Sequence, residues 1–218
     1  LNVNLMKIRN TILAFLLVCA AGWNYAQTIE VSPTYGYQFG AKQNYGSNFI
    51  KLEDSGMFGI SLGYEIRSNY MVEVSYLNMP TELRIRDRIA SPTESQLSDL
   101  NAHWIMLGGM RYFGNDRINP FFGGQLGMSI FSPDNVNRDI APNGLESVTK
   151  FSFGFKGGVV VMLSDQIGIK VQGNLLFPVQ WGGFYVGAGT GGISTGVNTS
   201  TTVVMGSFSG GLVFRLGA

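Results

Sequence analysis

Charge is scarce in this sequence. Lys and Arg number 15 and Asp and Glu 14 among 218 residues, or 13%. A typical soluble chain carries about 25%, so an ordinary cytosolic enzyme is disfavoured. The net charge of +1 gives no electrostatic footprint for nucleic acid, and no such partner is expected. One Cys excludes an intramolecular disulfide framework and a Cys-based zinc site. With one His, a metal centre would have to be built from carboxylates alone, and neither metal nor other cofactor is expected. Beyond the N-terminus no run supplies the ~18 consecutive apolar residues of a membrane-spanning helix. Glycine and aromatic residues are abundant instead. Gly is 30 of 218, twice the usual ~7%, and aromatics are 12%, which argues against disorder.

Lys7 and Arg9 precede an apolar core at 11–21, the pattern of an export signal and too short to span a bilayer. Met6 reads as the start, with 1–5 upstream of it. Small residues follow, and cleavage is expected after Ala26, so that 1–26 is the signal and 27–218 the mature chain. A lipoprotein signal ending at Cys19 fits less well, because Val18 is not the small residue wanted before the Cys. Loss of Cys19 with the signal leaves no mature Cys, which suits an oxidising envelope compartment.

The mature chain alternates in twos, the period of strands. Large apolar residues recur at Ile29–Phe39, Phe58–Ile66, Tyr70–Tyr76, Trp104–Tyr112, Phe122–Ile130, Phe151–Val161, Ile167–Phe177 and Phe208–Leu216. The intervening positions are small, Gly-rich or charged. On the fourth strand Trp104, Met106, Gly108, Met110 and Tyr112 are expected on the apolar face, opposite His103, Gly109 and Arg111. A narrow interior of Gly, Ser and a few charges, with a belt of large apolar residues outside, fits a small transmembrane barrel. Tyr37, Tyr64, Tyr76, Trp104, Tyr112 and Phe177 fall near strand ends, as an interfacial girdle would. The soluble alternative is a sandwich or lipocalin-like barrel, which would put the large apolar side chains inside. Connections alternate between short (67–69, 114–119, 164–166) and long (40–54, 79–98, 132–147, 178–200). Short turns are periplasmic in outer-membrane barrels, so both termini are expected on that side.

These residues resemble the small outer-membrane β-barrel family, the eight-stranded barrels like OmpX and the OmpA transmembrane domain. The closing segment Gly210-Gly211-Leu212-Val213-Phe214-Arg215-Leu216 is similar to the alternating last strand of such barrels. That strand is the signal for the barrel-assembly machinery. Here Leu216-Gly217-Ala218 follows the last aromatic, Phe214. Tyr112-Phe113 and Asn119-Pro120-Phe121-Phe122-Gly123-Gly124 look like the central hairpin. The resemblance implies an all-β, eight-stranded antiparallel up-and-down barrel in the outer membrane and carries over no catalytic residue.

The inward charges expected from alternation are Glu30, Glu65, Arg67, Glu73, Arg111, Lys156, Lys170 and Arg215. Glu65, Glu73 and Arg111 lie at similar distances from their turns and are expected to cluster. Closure makes the first and last strands neighbours, which pairs Glu30 with Arg215. Lys156 and Lys170 have no obvious carboxylate and are expected to face water. A general acid/base pair of carboxylates would need an open cleft rather than a narrow tube. His103 could suggest an outer-membrane deacylase, but Ile105 stands where that chemistry needs a Ser, so no triad is supported.

The Gly-rich stretch 182–192 has no Lys and no following helix, which excludes a phosphate cradle. Trp181, Phe184 and Tyr185 in that connection are either a partner contact or girdle residues. Arg84, Arg86 and Arg88 alternate with apolar residues near the outer rim, where they could meet lipopolysaccharide phosphates. Asp134, Asp139 and Glu146 match no calcium-loop spacing. The expected role is non-enzymatic, as membrane architecture or surface interaction. The alternatives are a narrow channel for ions or small hydrophobic solutes and an accessory subunit of an envelope or secretion assembly. Partners expected are outer-membrane lipid, the assembly machinery and an envelope protein.

Overall fold

The structure, a computed structural model, describes residues 28–88, 91–114, 117–179, 185–189, 192–196 and 204–217, with backbone only at Tyr45, 185–189 and 192–196. The expected export signal and the side chains of Trp181, Phe184 and Tyr185 lie outside the described residues. The strands are β1 (Ile29–Gln38), β2 (Ala41–Tyr45), β3 (Asn48–Leu52), β4 (Ser55–Arg67), β5 (Tyr70–Asp87), β6 (Ser91–Tyr112), β7 (Ile118–Asp134), β8 (Val148–Met162), β9 (Ile167–Pro178), β10 (Tyr185–Gly189), β11 (Gly192–Gly196) and β12 (Met205–Leu216).

Eight of these close a ring in the order β1, β4, β5, β6, β7, β8, β9, β12, each antiparallel to its neighbours. The register row from Glu30 runs through Gly63, Glu73, Gly108, Gln125, Gly154 and Leu176 to Met205 on β12. Yet Glu30 itself pairs with Arg215 on that same strand, ten residues away from Met205. That stagger, over eight strands ~4.8 Å apart with a rise of ~3.3 Å, gives a strand tilt of about 40°. Each residue then climbs about 2.5 Å along the barrel axis, and each strand step along a register row about 3 Å.

Turns close one end of the barrel. Ser68-Asn69 joins β4 to β5, with Asn69 at φ 67, a left-handed position that Asn tolerates. At 163–166 the Ser164 hydroxyl accepts the backbone N–H groups of Gln166 and Ile167. The other end carries folded extensions. β5 and β6 run on as one long hairpin to Asp87 and Ser91. The connection after β1 folds into the β2–β3 hairpin, and β3 pairs with the upper part of β5. Gly40 sits at the bend between β1 and β2, where an added Cβ would lie 2.0 Å from the Leu52 carbonyl oxygen. β10 and β11 pair with each other.

Alternation sorts the side chains as expected on seven strands of the ring. Phe58, Ile60, Leu62, Tyr64, Leu126, Phe151, Ile169, Leu212 and Phe214 are among the large apolar residues exposed on the outside. Phe153 and Phe177 stack at 4.9 Å between ring centroids, and Phe122 and Phe155 at 6.3 Å, forming an aromatic wall over β7 to β9. From Ile167 to Phe177 the belt spans about 25 Å along the axis, matching the apolar band of outer-membrane barrels.

β6 is the exception. Trp104, Met106, Met110 and Tyr112 point inward and are buried, while Ile105, Leu107, His103 and Arg111 are on the outer face. Both faces of β6 are apolar in its middle. Its polar residues sit at the two interfaces, where an outward polar group is well tolerated, so they do not mark the lumen.

Candidate functional site: the barrel interior

The lumen is filled in layers. At the turn end Met71, Met110, Tyr112, Phe121, Val160, Met162 and Val213 form an apolar plug. Gly63 leaves it room, since a Cβ there would come within 2.9 Å of the Met71 methyl.

The charges run from the level of this plug, where Glu30 and Arg215 lie, to above it, where Glu73 and Lys156 lie. Glu30 accepts hydrogen bonds from the Tyr112 hydroxyl at 2.8 and 2.9 Å and meets Arg215 Nε at 3.3 Å. Lys170 Nζ lies 3.6 Å from both Glu30 Oε1 and Glu73 Oε2. Lys156 donates to Glu73. The Phe121 ring lies 5.0 Å from Lys170 Nζ, a cation–π contact. All these groups are buried except Arg215, which is partly exposed at the turn end. Lys156 and Lys170 therefore do not face water: long inward side chains cross the narrow tube to carboxylates on other strands.

Glu30 and Arg215 are brought together as alternation and closure suggested, and Glu73 joins the cluster. Three expected members stand apart. Arg111 is exposed outside, 5.1 Å from the Tyr70 ring and 5.3 Å from the Phe113 ring, because β6 has the opposite parity. Arg67 is exposed at the turn. Glu65 is half-buried and accepts the Asn69 N–H at 3.2 Å, closing the β4–β5 turn. Tyr112 is the member that sequence reasoning missed, having been assigned to the outer girdle.

Above the ions is a polar belt. The rise per residue and the row climb place Thr34, Ser75, Gln125, Gln172 and Ser209 near one level. Over it lies a second apolar plug at the loop end: Met57, Leu77, Met79, Ala102, Trp104, Met106, Leu176 and Met205. Trp104 packs edge-on against Phe131 at 5.8 Å, and Ala41 and Leu52 of the β2–β3 hairpin rest on the same cluster. Farther out, Ile85, Leu97, Ile140 and Ala141 form a third apolar cluster, which binds the long hairpin to the 135–147 connection.

Outside the barrel at the loop end, a cleft of about 600 Å³ is lined by Glu53, Asp54, Glu82, Arg84, Asp99 and Asp134 among others. Arg84 is engaged there by Glu94 at 2.9 Å and by Glu53 and Glu82 at 3.6 Å. Arg86 and Arg88 are exposed. Asp54 accepts the Gly40 N–H at 2.7 Å and the Tyr37 hydroxyl at 3.1 Å. The Gly40 hydrogen bond first, and Tyr37 second, hold its carboxyl below the usual range. On the lipid-facing side, His103 Nδ1 lies 2.8 Å from the Tyr76 hydroxyl and 3.0 Å from Asn78 Nδ2. Among the described residues no group of three His, Cys, Asp or Glu side chains is placed to hold a metal ion.

A closed eight-strand ring with an apolar belt outside and buried ions inside is an integral membrane barrel of the outer-membrane class. The chain matches the outer membrane protein beta-barrel domain over residues 11–175 and belongs to that family. It is thus an outer-membrane β-barrel protein. Among solved structures it is similar to Neisserial surface protein A, at 15% identity over 88% of this chain and 98% of that one, with a TM-score of 0.56. It is also similar to OprG from Pseudomonas aeruginosa, at 11% identity over 88% and 96%, with a TM-score of 0.63. At such identities the likeness concerns the fold alone. No curated protein matches the sequence.

Proposed function

We propose that this protein is a plugged, non-enzymatic barrel that acts through its loop-end apparatus, as membrane architecture or in contact with a surface partner. The observation that carries this reading is the filled lumen: an apolar plug at each end and a paired ion cluster between them. An open pore would instead be lined by hydrated polar groups from mouth to mouth. The loop end, by contrast, is built up well beyond what closing a barrel needs. It has its own apolar cluster, a hairpin docked on β5 and a carboxylate-lined cleft.

The start of β1, the end of β12 and the short turns share one end, which on this reading is periplasmic, and the loop-end apparatus faces outward. Export by the 1–26 signal and insertion by the assembly machinery through the last strand complete the proposal. Arg86 and Arg88 are the rim cations offered to lipopolysaccharide phosphates, and an envelope protein is the partner class for the outer hairpins. A narrow channel is the second reading, and the methionine-rich loop-end plug favours it, because such side chains repack readily.

Planar-bilayer recording of the refolded mature barrel tests the choice. Folded protein that passes no current supports the plugged reading. Steady openings altered by Lys156→Glu would replace it with transport.

A further inference from the structure

We propose that the lipid-facing surface around Arg111, at the turn end of β6, retains one anionic phospholipid by its phosphate. Arg111 is exposed at the edge of the apolar belt, and its guanidinium lies 5.1 Å from the centroid of the Tyr70 ring and 5.3 Å from that of Phe113. Those contacts hold the group in place but satisfy none of its five N–H donors. Among the described residues the side chain makes no hydrogen bond and no ion pair. A held guanidinium with a free fork takes an oxyanion bidentately, and at the edge of a bilayer that oxyanion is a lipid phosphate.

A second cation stands on the same row. Arg67, Tyr70, Arg111 and Phe122 are register partners across β4 to β7. Plain alternation would put Arg67 on the side of Glu65. The register shift between Glu65 and Arg67 turns it to the side of Tyr70 instead, as bulges at barrel rims do. Arg67 is exposed and without a carboxylate partner among the described residues, while Glu65 accepts the Asn69 N–H. The row thus brings two positive charges and no negative one to the interface, which favours an anionic headgroup over a zwitterionic one.

The next row into the membrane is Val72, Gly109, Gly124 and Phe155. Its two adjacent glycines leave a notch in the belt about 5 Å deeper than Arg111. The sheet does not require them. A Cβ at Gly109 would meet nothing closer than 3.8 Å, and one at Gly124 nothing closer than 4.0 Å. At the inward neighbours Gly108 and Gly123 it would strike backbone at 2.5 and 2.6 Å. Glycine weakens a strand and often marks a surface that another group approaches closely. Here that group is the glycerol and first acyl carbons just inside the phosphate. On the orientation proposed above this is the periplasmic leaflet; the site itself does not depend on that orientation.

The test uses the full mature barrel in detergent, with dioleoyl phosphatidylglycerol as the probe. Native mass spectrometry should show one retained lipid per barrel. Arg111→Gln should weaken retention at least about tenfold, the scale of a charge-assisted pair. Gly109→Leu with Gly124→Leu fills the notch, keeps both cations and should also weaken retention. Gel mobility of unheated samples shows whether each variant is folded. In phosphatidylcholine vesicles, admixed phosphatidylglycerol should raise the unfolding midpoint of wild type more than that of Arg111→Gln. Folded wild type that retains no lipid overturns the proposal, as does retention unchanged by either set of substitutions or an equal rise in midpoint. Displacement of the lipid by equimolar inorganic phosphate would make this a free-phosphate site. Loss of the lipid in Arg86→Gln with Arg88→Gln would move it to the loop-end rim. Either result also overturns the proposal.

Discussion

Replacing Glu73 separates a plugged lumen from a hydrated one by magnitude. Lys156 donates to Glu73, and Lys170 lies 3.6 Å from it, with all three side chains buried. Glu73→Gln leaves Lys156 without its carboxylate and Lys170 with Glu30 alone. Stripping one partner from a buried pair costs about 3–5 kcal/mol, whereas an exposed pair costs about 0.2–1 kcal/mol. The plugged reading therefore predicts a loss of more than about a hundredfold in the folding constant. Lys156→Met should cost less, because Glu73 keeps Lys170. The double variant Glu73→Gln with Lys156→Met removes both buried charges and leaves Lys170 with Glu30, so it should recover most of the loss.

Urea unfolding in lipid vesicles reads these energies, with gel mobility separating folded from unfolded barrel. If both single variants lie within about 1 kcal/mol of wild type, the cluster is water-accessible and the plugged lumen is wrong. If the double variant is as unstable as the sum of the singles, the two groups are not coupled.

Three further outcomes follow from the layers. Trp104→Ala removes the largest buried side chain of the loop-end plug; it should cost about 3–5 kcal/mol and raise bilayer conductance if that plug is the barrier. Arg111→Ala should cost no more than about 1 kcal/mol, the scale of an exposed cation–π contact, while Arg215→Ala should cost more by leaving Glu30 short of a cation; urea midpoints of the two, compared side by side, check the β6 parity. Asp54 has a depressed folded pKa, so its anchoring of Gly40 is complete above the unfolded value of about 3.9 and lost as pH falls through the folded one. Hydrogen exchange at the Gly40 amide should thus be protected at pH 5 and lose that protection in stronger acid, and Asp54→Asn should remove the acid dependence.

The ring was legible because a belt facing lipid leaves a plain record. Ile167, Ile169 and Val171 alternate with Gly168, Lys170 and Gln172, the order that a strand between lipid and a narrow lumen requires. The pairing of Glu30 with Arg215 was legible for a related reason: closure dictates which strands meet. The rest of the cluster was hidden by reach. Lys156 extends from β8 to Glu73 on β5, which are not neighbours, and spacing along the chain carries no sign of a contact across a tube. β6 misled because the rule "polar inside" holds only for an unplugged interior. Trp104, Met106, Met110 and Tyr112 look like lipid-facing residues, and the two plugs need that same chemistry within.

Nearly half of the residues in those plugs are methionine, and this bears on how the outside and the lumen communicate. Seven of the nine methionines point inward, at positions 57, 71, 79, 106, 110, 162 and 205. A ring whose register is fixed by backbone pairing cannot adjust its width to fit its contents, so the contents must adapt. Unbranched, flexible thioether side chains do that better than Leu or Ile. The loop-end plug is also shared with the outer apparatus, since Ala41 and Leu52 of the β2–β3 hairpin rest on it. That hairpin is held at its bend by Asp54, through Gly40 and Tyr37. A partner that pulled the hairpin aside would break the β3–β5 pairing but none of the eight pairings that close the ring, and would uncover the plug. On the channel reading, opening then takes side-chain rotations in the plug and release of the hairpin from β5, with the exposed Asp54 hydrogen bonds a smaller part of that cost.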